Sequence, residues 1–244
     1  MQLRGKRQAG FTIVEVLIAT GLLMAVAAVA LHFITNFNRM GDRMNTLATM
    51  EEALRTSLNR IEREMIEASA VLPEHPDDSS IATGKNRVVL GIPLYSDAGF
   101  VAIDDDGNPL LDIMVLETLP DNTAELLRNR TNTRSQRLLF SIDTQTQSNR
   151  QDIDNQVIAR DLMPKTTSGT NAGNYLYPGS MSGPQQGTFV YLAEDGSEID
   201  PSSGDLSQVS QVKVLLWAEK NHREGVLTSR KEIEVRLRNW GEIL

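Results

Sequence analysis

The sequence predicts an α+β architecture: a long amino-terminal helix whose second half packs on a mostly antiparallel β-sheet head. Three observations carry that reading. Phe11 to Ile34 is an apolar run with one charged residue, Glu15, inside it. From Phe37 to Leu72, apolar residues recur at alternating three- and four-residue steps, and no proline occurs before Pro73. Beyond Pro73, short runs of alternating apolar and polar residues are separated by polar, turn-forming stretches.

Composition narrows the function classes. The chain has 244 residues, 40% hydrophobic and 23% charged, which suits one globular domain with an appendage or two small domains. It is too polar for a polytopic membrane protein and too apolar for a disordered chain. With 24 Lys+Arg against 32 Asp+Glu the net charge is −8, which argues against a protein built to grip nucleic acid. No cysteine is present, so disulfides, thiol catalysis, iron–sulfur clusters and Cys-based zinc sites fall away together. His32, His75 and His222 do not share a metal-ligand spacing. The sequence also lacks the phosphate-loop, H-E-x-x-H and G-x-S-x-G patterns. The expectation is a non-enzymatic chain without metal or cofactor.

The amino terminus is the most specific part. Residues 1–10 carry Arg4, Lys6 and Arg7 and no acid. The 24 residues from Phe11 to Ile34 would make about 36 Å of helix, enough to cross a bilayer. The basic flank predicts a cytoplasmic amino terminus, with everything after Ile34 outside. A secretory signal peptide is one reading, since Ala25-Val26-Ala27 and Ala28-Val29-Ala30 offer small-x-small cleavage sites. A simple anchor is another. Neither needs Glu15, whose carboxylate costs about 2.5–3.5 kcal/mol inside a spanning segment. A cut between Gly10 and Phe11 would supply a cationic partner: the new Phe11 amine, four residues from Glu15 and so on the same helix face. The pair can form within a subunit or between neighbours.

Gly10-Phe11-Thr12-Ile13-Val14-Glu15, behind a basic leader and ahead of an apolar helix, resembles the prepilin motif of type IV pilins and type II secretion pseudopilins. The resemblance implies cleavage after Gly10 by a prepilin peptidase and N-methylation of Phe11. Losing Arg4, Lys6 and Arg7 would take the net charge from −8 to −11. The Arg/Glu-rich segment around Glu62, Arg63 and Glu64 is by default a solvated helix face. It is also similar to the end of this helix in PilW-like minor pilins and J-type pseudopilins, and Leu237-Arg238-Asn239 resembles the end of PilW-like chains.

The striped segment should continue the helix from the apolar run to roughly Val71, with Gly41 a mild weak point. Glu51 occupies a slot where the stripe wants an apolar residue, and Met50 beside it is the substitute. The stripe reads as the back of a helix packed on its own sheet, with a two-stranded coiled coil as the alternative. Strand candidates are Arg87–Tyr95, Asp112–Leu119, Gln136–Ile142, Val157–Leu162, Thr188–Ala193, Gln211–Lys220 and Lys231–Arg238. In the last two, Val212, Val214 and Leu216, and Ile233, Val235 and Leu237, define one buried face, with Trp217 pointing the other way. Asn221–Thr228 reads as their connection. Gln145–Asn155, Thr166–Asn174, Pro178–Gly187 and Glu194–Gln208 read as surface loops unable to bury enough apolar area to order themselves. Asp104-Asp105-Asp106-Gly107-Asn108 suits a hairpin turn. As a calcium loop it lacks the distal Glu.

The expected organisation is a leader at 1–10, a transmembrane and filament-core helix at 11–34, its amphipathic half at 35–72 and a periplasmic or extracellular head at 73–244. By resemblance, the chain is a minor pilin or pseudopilin of the inner membrane. Its partners would be other pilins through the helix, the prepilin peptidase and an inner-membrane assembly platform. The absence of an early proline, with His32 near its usual place, and of a carboxy-terminal disulfide loop sets the chain apart from major pilins. Alternatives are the J-type pseudopilin of a type II secretion tip, a DNA-uptake pilus component (Arg128, Arg130, Arg134 and Arg137 being a local basic cluster), and an exported β domain behind an ordinary signal peptide.

Overall fold

The computed structural model describes residues 12–96, 99–120, 136–163, 187–223 and 225–238. The chain divides into two compact units, Met1–Thr46 and Leu47–Leu244. A single helix, α1 (Ile13–Met65), is followed by eleven strands among the described residues. These are β1 (Ala70–Leu72), β2 (Glu74–His75), β3 (Asp78–Ala82), β4 (Arg87–Pro93), β5 (Leu111–Pro120) and β6 (Gln136–Asp143), then β7 (Ile153–Leu162), β8 (Phe189–Leu192), β9 (Glu198–Ile199), β10 (Gln211–His222) and β11 (Gly225–Arg236). All seven strand candidates fall on observed strands, and every pairing is antiparallel.

Nine strands form one sheet in the order β1-β4-β5-β6-β7-β10-β8-β9, with β11 along the other side of β10. Strands β2 and β3 form a separate hairpin. Alternation decides which face each residue takes. Val88, Leu90, Ile92, Met114, Leu116, Leu138, Phe140 and Ile142 enter the main core. Val212, Val214 and Leu216 join them from β10, while Leu215 and Trp217 turn outward into a small second cluster with Met163.

In the second unit the helix supplies the other wall of this core. Met50, Leu54, Leu58, Ile61 and Met65 are buried against the sheet, each worth about 1.5–3 kcal/mol when taken out of water. Met50 fills the gap in the stripe, and Glu51 stays outside with its carboxylate 3.8 Å from Lys231. Ser57 is the polar exception. Its hydroxyl donates to Ala53 O in its own helix and lies 2.9 Å from Ile158 O on β7, so a buried hydroxyl fixes the helix to the sheet.

The helix ends six residues earlier than its stripe suggests. Ala68 N donates to Met65 O, closing the last turn, and Ser69 N donates to Gly91 O. Ala70–Leu72 then pair with Val89–Gly91 as β1. Ala68 and Val71 are buried, so the periodicity reports burial correctly. It fails on the element, because a sheet edge needing hydrogen-bond partners wins over continuation of the helix.

Two loop expectations are also corrected. Gln145–Asn155 overlaps β7, which begins at Ile153. Its start is organised by Asp112, a fully buried carboxylate on β5 that accepts from Gln145 N (2.9 Å) and Ser148 Oγ (2.6 Å), with Arg150 Nε 3.7 Å away. Arg150 also reaches Glu67 just past the helix end. Glu194–Gln208 holds β9 and a 3-10 helix (Leu206–Gln208), with Leu206, and Val209 just after the stretch, in the main core. It is ordered by a local device at five-residue spacing: Asp195, Asp200 and Asp205 each accept the N–H and hydroxyl of the serine two residues on. The other two polar stretches, Thr166–Asn174 and almost all of Pro178–Gly187, lie outside the described residues. The connection near Asn221–Thr228 is a tight hairpin, with pairing running out to His222↔Gly225 and Gly225 at φ +130°. Asp104–Asn108 is a turn whose Asp104 carboxylate accepts from Asp106 N and Asn108 N.

Two outcomes follow. Ile61→Ala should lower stability by about 3 kcal/mol, read as a shift of the urea midpoint of the full chain in detergent. Serine hydroxyls, then serine N–H groups, hold Asp195, Asp200 and Asp205 below the usual carboxylate range. Their bonds therefore stabilise the fold fully above the ordinary aspartate value of about 4, and that contribution is lost as pH falls through the depressed folded values. The amide signals of Ser197, Ser202 and Ser207 should lose their protection together below about pH 4. Protection that is unchanged when Asp195, Asp200 and Asp205 are each replaced by Ala would contradict the assignment.

Candidate membrane and assembly helix

The first half of α1 has no core to face. One helix among the described residues is long and apolar enough to cross a membrane, with an 18-residue window of mean hydropathy 2.4 and none of it buried. Ile13 is 81% exposed, Leu23 70% and Phe33 70%, and the same holds on every side of the helix. A surface this apolar in water is unstable and calls for lipid or other protein. Its few polar groups are satisfied locally. Thr20 Oγ donates to Val16 O (2.9 Å), Thr35 Oγ to Leu31 O, and Asn36 Nδ2 meets His32 Nε2 at 3.0 Å. That is how hydroxyls and amides are tolerated where water is absent. Phe33 and Phe37 stack with centroids 6.5 Å apart.

The helix begins with a reciprocal cap. Thr12 precedes the first helical residue, and Glu15 stands three residues on. Glu15 N donates to Thr12 Oγ (3.3 Å), while Thr12 N and Thr12 Oγ both donate to Glu15 Oε2 at 2.9 and 3.0 Å. This is the S/T-x-x-E capping box, and a carboxylate there also complements the positive end of the helix. Its signal was present in the sequence as Thr12-Ile13-Val14-Glu15, although the cost of Glu15 directs attention to a cation instead. Both threonine donors go to Oε2, so among the described residues no group bonds Oε1. The carboxylate is oriented by its own helix with one oxygen left to accept from another group. Of the residues singled out from sequence, Glu15 is placed by the structure. Gly10, Phe11, Arg4, Lys6 and Arg7 lie outside the described residues, as do Arg128, Arg130 and Arg134 of the basic cluster. Among the described residues no cluster of His, Cys, Asp and Glu could hold a metal ion.

Thr12→Ala removes the hydroxyl that donates to Glu15 Oε2 and accepts from Glu15 N, leaves the backbone N–H donor in place, and should cost the first turn about 1 kcal/mol. Hydrogen exchange in micelles would show it as faster exchange at Val16, whose N–H bonds Thr12 O at 3.2 Å, with Leu58–Ile61 unchanged.

Comparison with known proteins adds one finding at this segment. Residues 5–31 match the family model described as the prokaryotic N-terminal methylation motif. No curated protein and no solved structure matches the chain. The matched stretch spans the Gly10–Phe11 junction, Thr12, Glu15 and most of the exposed apolar run, and stops well before the sheet. The amino terminus thus carries a methylation motif that supports a type IV pilin-like or pseudopilin character, with inner-membrane anchoring and association with other subunits.

Proposed function

We propose that this chain is a minor pilin of the PilW-like kind, a structural subunit that helps prime or build a type IV pilus. The carrying observation is the pairing of a methylation motif with a helix whose apolar surface is exposed on all sides. A prepilin peptidase cuts after Gly10 on the cytoplasmic side, and Phe11 becomes the methylated first residue. Before assembly the helix rests in lipid, with the head on the periplasmic side. On assembly the same surface leaves lipid and packs on neighbouring helices, so apolar contact is exchanged rather than created.

Glu15 gives this exchange a direction. In lipid its carboxylate costs about 2.5–3.5 kcal/mol. In a filament the Phe11 amine of a neighbour meets the open Oε1, which relieves that cost and sets the axial register. Truncating one partner of such a pair strands a buried charge, so the step depends on both groups. Nothing in this mechanism requires a catalytic group, a metal or a cofactor. The large, loop-rich head suits a minor component better than a repeating one.

The test is direct. Native protein should begin at N-methylated Phe11 by mass spectrometry, and Gly10→Ala should leave residues 1–10 attached. Glu15→Leu should be inserted and processed normally yet be missing from sheared filaments and from crosslinks to other subunits. Incorporation of Glu15→Leu at the wild-type level would remove the role assigned to the carboxylate. A first residue near Ala30 would remove the pilin reading altogether. Crosslinking from native membranes separates the pilus role from a J-type pseudopilin at a type II secretion tip, through the pilins or pseudopilins recovered.

A further inference from the structure

On the sheet face opposite the helix lies a groove of about 380 Å³ along β5. Its floor is Ile113 and Val115. The β2–β3 hairpin forms one wall through His75 and Ile81, and the other wall is the irregular β6–β7 edge around Asp154 and Asn155. Asn155 takes φ 48° there, and its N–H donates to Ser141 Oγ.

Four carboxylates line the groove: Glu117, Asp143, Asp152 and Asp154. Three are engaged within the chain, Glu117 by Arg87, Asp152 by the N–H and hydroxyl of Thr144, and Asp154 by the neutral side-chain amide of Asn155. Asp143 and Asp154 meet no lysine or arginine among the described residues, and the Asp143 side chain is 59% exposed. His75 adds an independent observation. It is over nine-tenths buried, and its Nδ1 accepts the Asp77 N–H at 3.2 Å. With Nδ1 accepting, Nε2 is the ring's N–H donor, and His75 is part of the groove lining. Nε2 lies 3.7 Å from Asp143 Oδ2, beyond hydrogen-bond range.

We infer that this groove is a docking site for an extended peptide segment of a partner protein, bearing a lysine or arginine between apolar residues. Three complementary chemistries select that occupant. A cationic side chain meets Asp143 and Asp154, an apolar neighbour covers Ile113 and Val115, and a backbone carbonyl accepts from His75 Nε2–H. A small polyamine would use only the first, and an acidic peptide is repelled. The chain's net charge of −8 steers a cationic segment towards the head in the same sense. The inference uses no residue of the amino-terminal segment and stands whatever that segment does.

The experiment is a fluorescence-anisotropy titration of the full chain in neutral detergent micelles with a labelled, end-capped peptide of alternating valine and lysine. A valine–glutamate peptide and spermidine serve as competitors. Saturable binding of the lysine peptide is expected, weakening about tenfold between 50 and 300 mM salt. The double variant Asp143→Asn, Asp154→Asn should bind about tenfold more weakly with an unchanged circular dichroism spectrum. His75→Ala should lose a few-fold, and His75→Gln, which keeps an N–H donor, less than that. The proposal is overturned if the lysine peptide does not saturate or its binding ignores salt. It is equally overturned if spermidine or the glutamate peptide competes as well as unlabelled lysine peptide, or if the double variant binds like the wild type.

Discussion

One helix must satisfy two different surroundings, and the rest of the structure follows from that constraint. Between Ile13 and Met44 α1 exposes large apolar side chains in every direction, while between Met50 and Met65 it buries one stripe beneath a sheet. Apolar surface is stabilised at roughly 25 cal/mol per Å² removed from water, so the first half cannot remain in water. The second half is already covered by its own chain. The sheet thus gives the helix a folded partner at one end only, and the other end remains available for lipid or for further subunits.

The polar groups of the exposed half show how narrow that availability is. Thr20, Thr35 and Asn36 turn inward on their own helix, which removes them as points of recognition. Glu15 is different. Thr12 holds its Oε2 and no described residue bonds Oε1, so among the described residues the charge is aimed without being fully satisfied. A carboxylate already oriented loses little side-chain freedom when a cation arrives. The capping box and the proposed amine pair are therefore not competing explanations of one residue. The first prepares the second.

Much of the fold was legible from residue order. Alternation in β10 and β11 assigned Val212, Val214, Leu216 and Val235 to the core and turned Trp217 away from it, and Met50 did replace Glu51 in the stripe. The failures share a cause. Periodicity states which residues are buried and is silent on the backbone, so Ala70–Leu72 read as helix although Gly91 and its neighbours hold them as a strand. Composition is equally silent on local hydrogen bonds. The stretch Glu194–Gln208 looked too polar to order, yet three Asp-x-Ser turns and the burial of Leu206 fix it. Asp112 gave no sign in sequence of being a buried loop organiser, because its partners Gln145, Ser148 and Arg150 lie more than thirty residues away.

The sheet's edge bears on how the head meets other molecules. Strand β11 runs for twelve residues and pairs only with β10 among the described strands. Leu237 N donates inward to Ser210 O, so by alternation Arg230, Glu232, Glu234 and Arg236 present their backbone groups outward. A long free edge invites strand addition unless it is charged. Here the outward positions from Arg230 to Arg236 are charged and knitted together, while Val226 and Thr228 nearer the hairpin are not. Lys213 Nζ lies 3.2 Å from Glu232 and 3.1 Å from Glu234, Arg230 pairs with Glu232 at 2.7 Å, and the Arg230 guanidinium lies over Trp217. Those carboxylates raise the Lys213 pKa, Glu234 most of all, so the lysine on the neighbouring strand holds its charge. An incoming strand along Arg230–Arg236 would meet a row of charged side chains. The Arg230–Arg236 half of the edge is therefore guarded against promiscuous pairing, and recognition there falls to surfaces that read side chains.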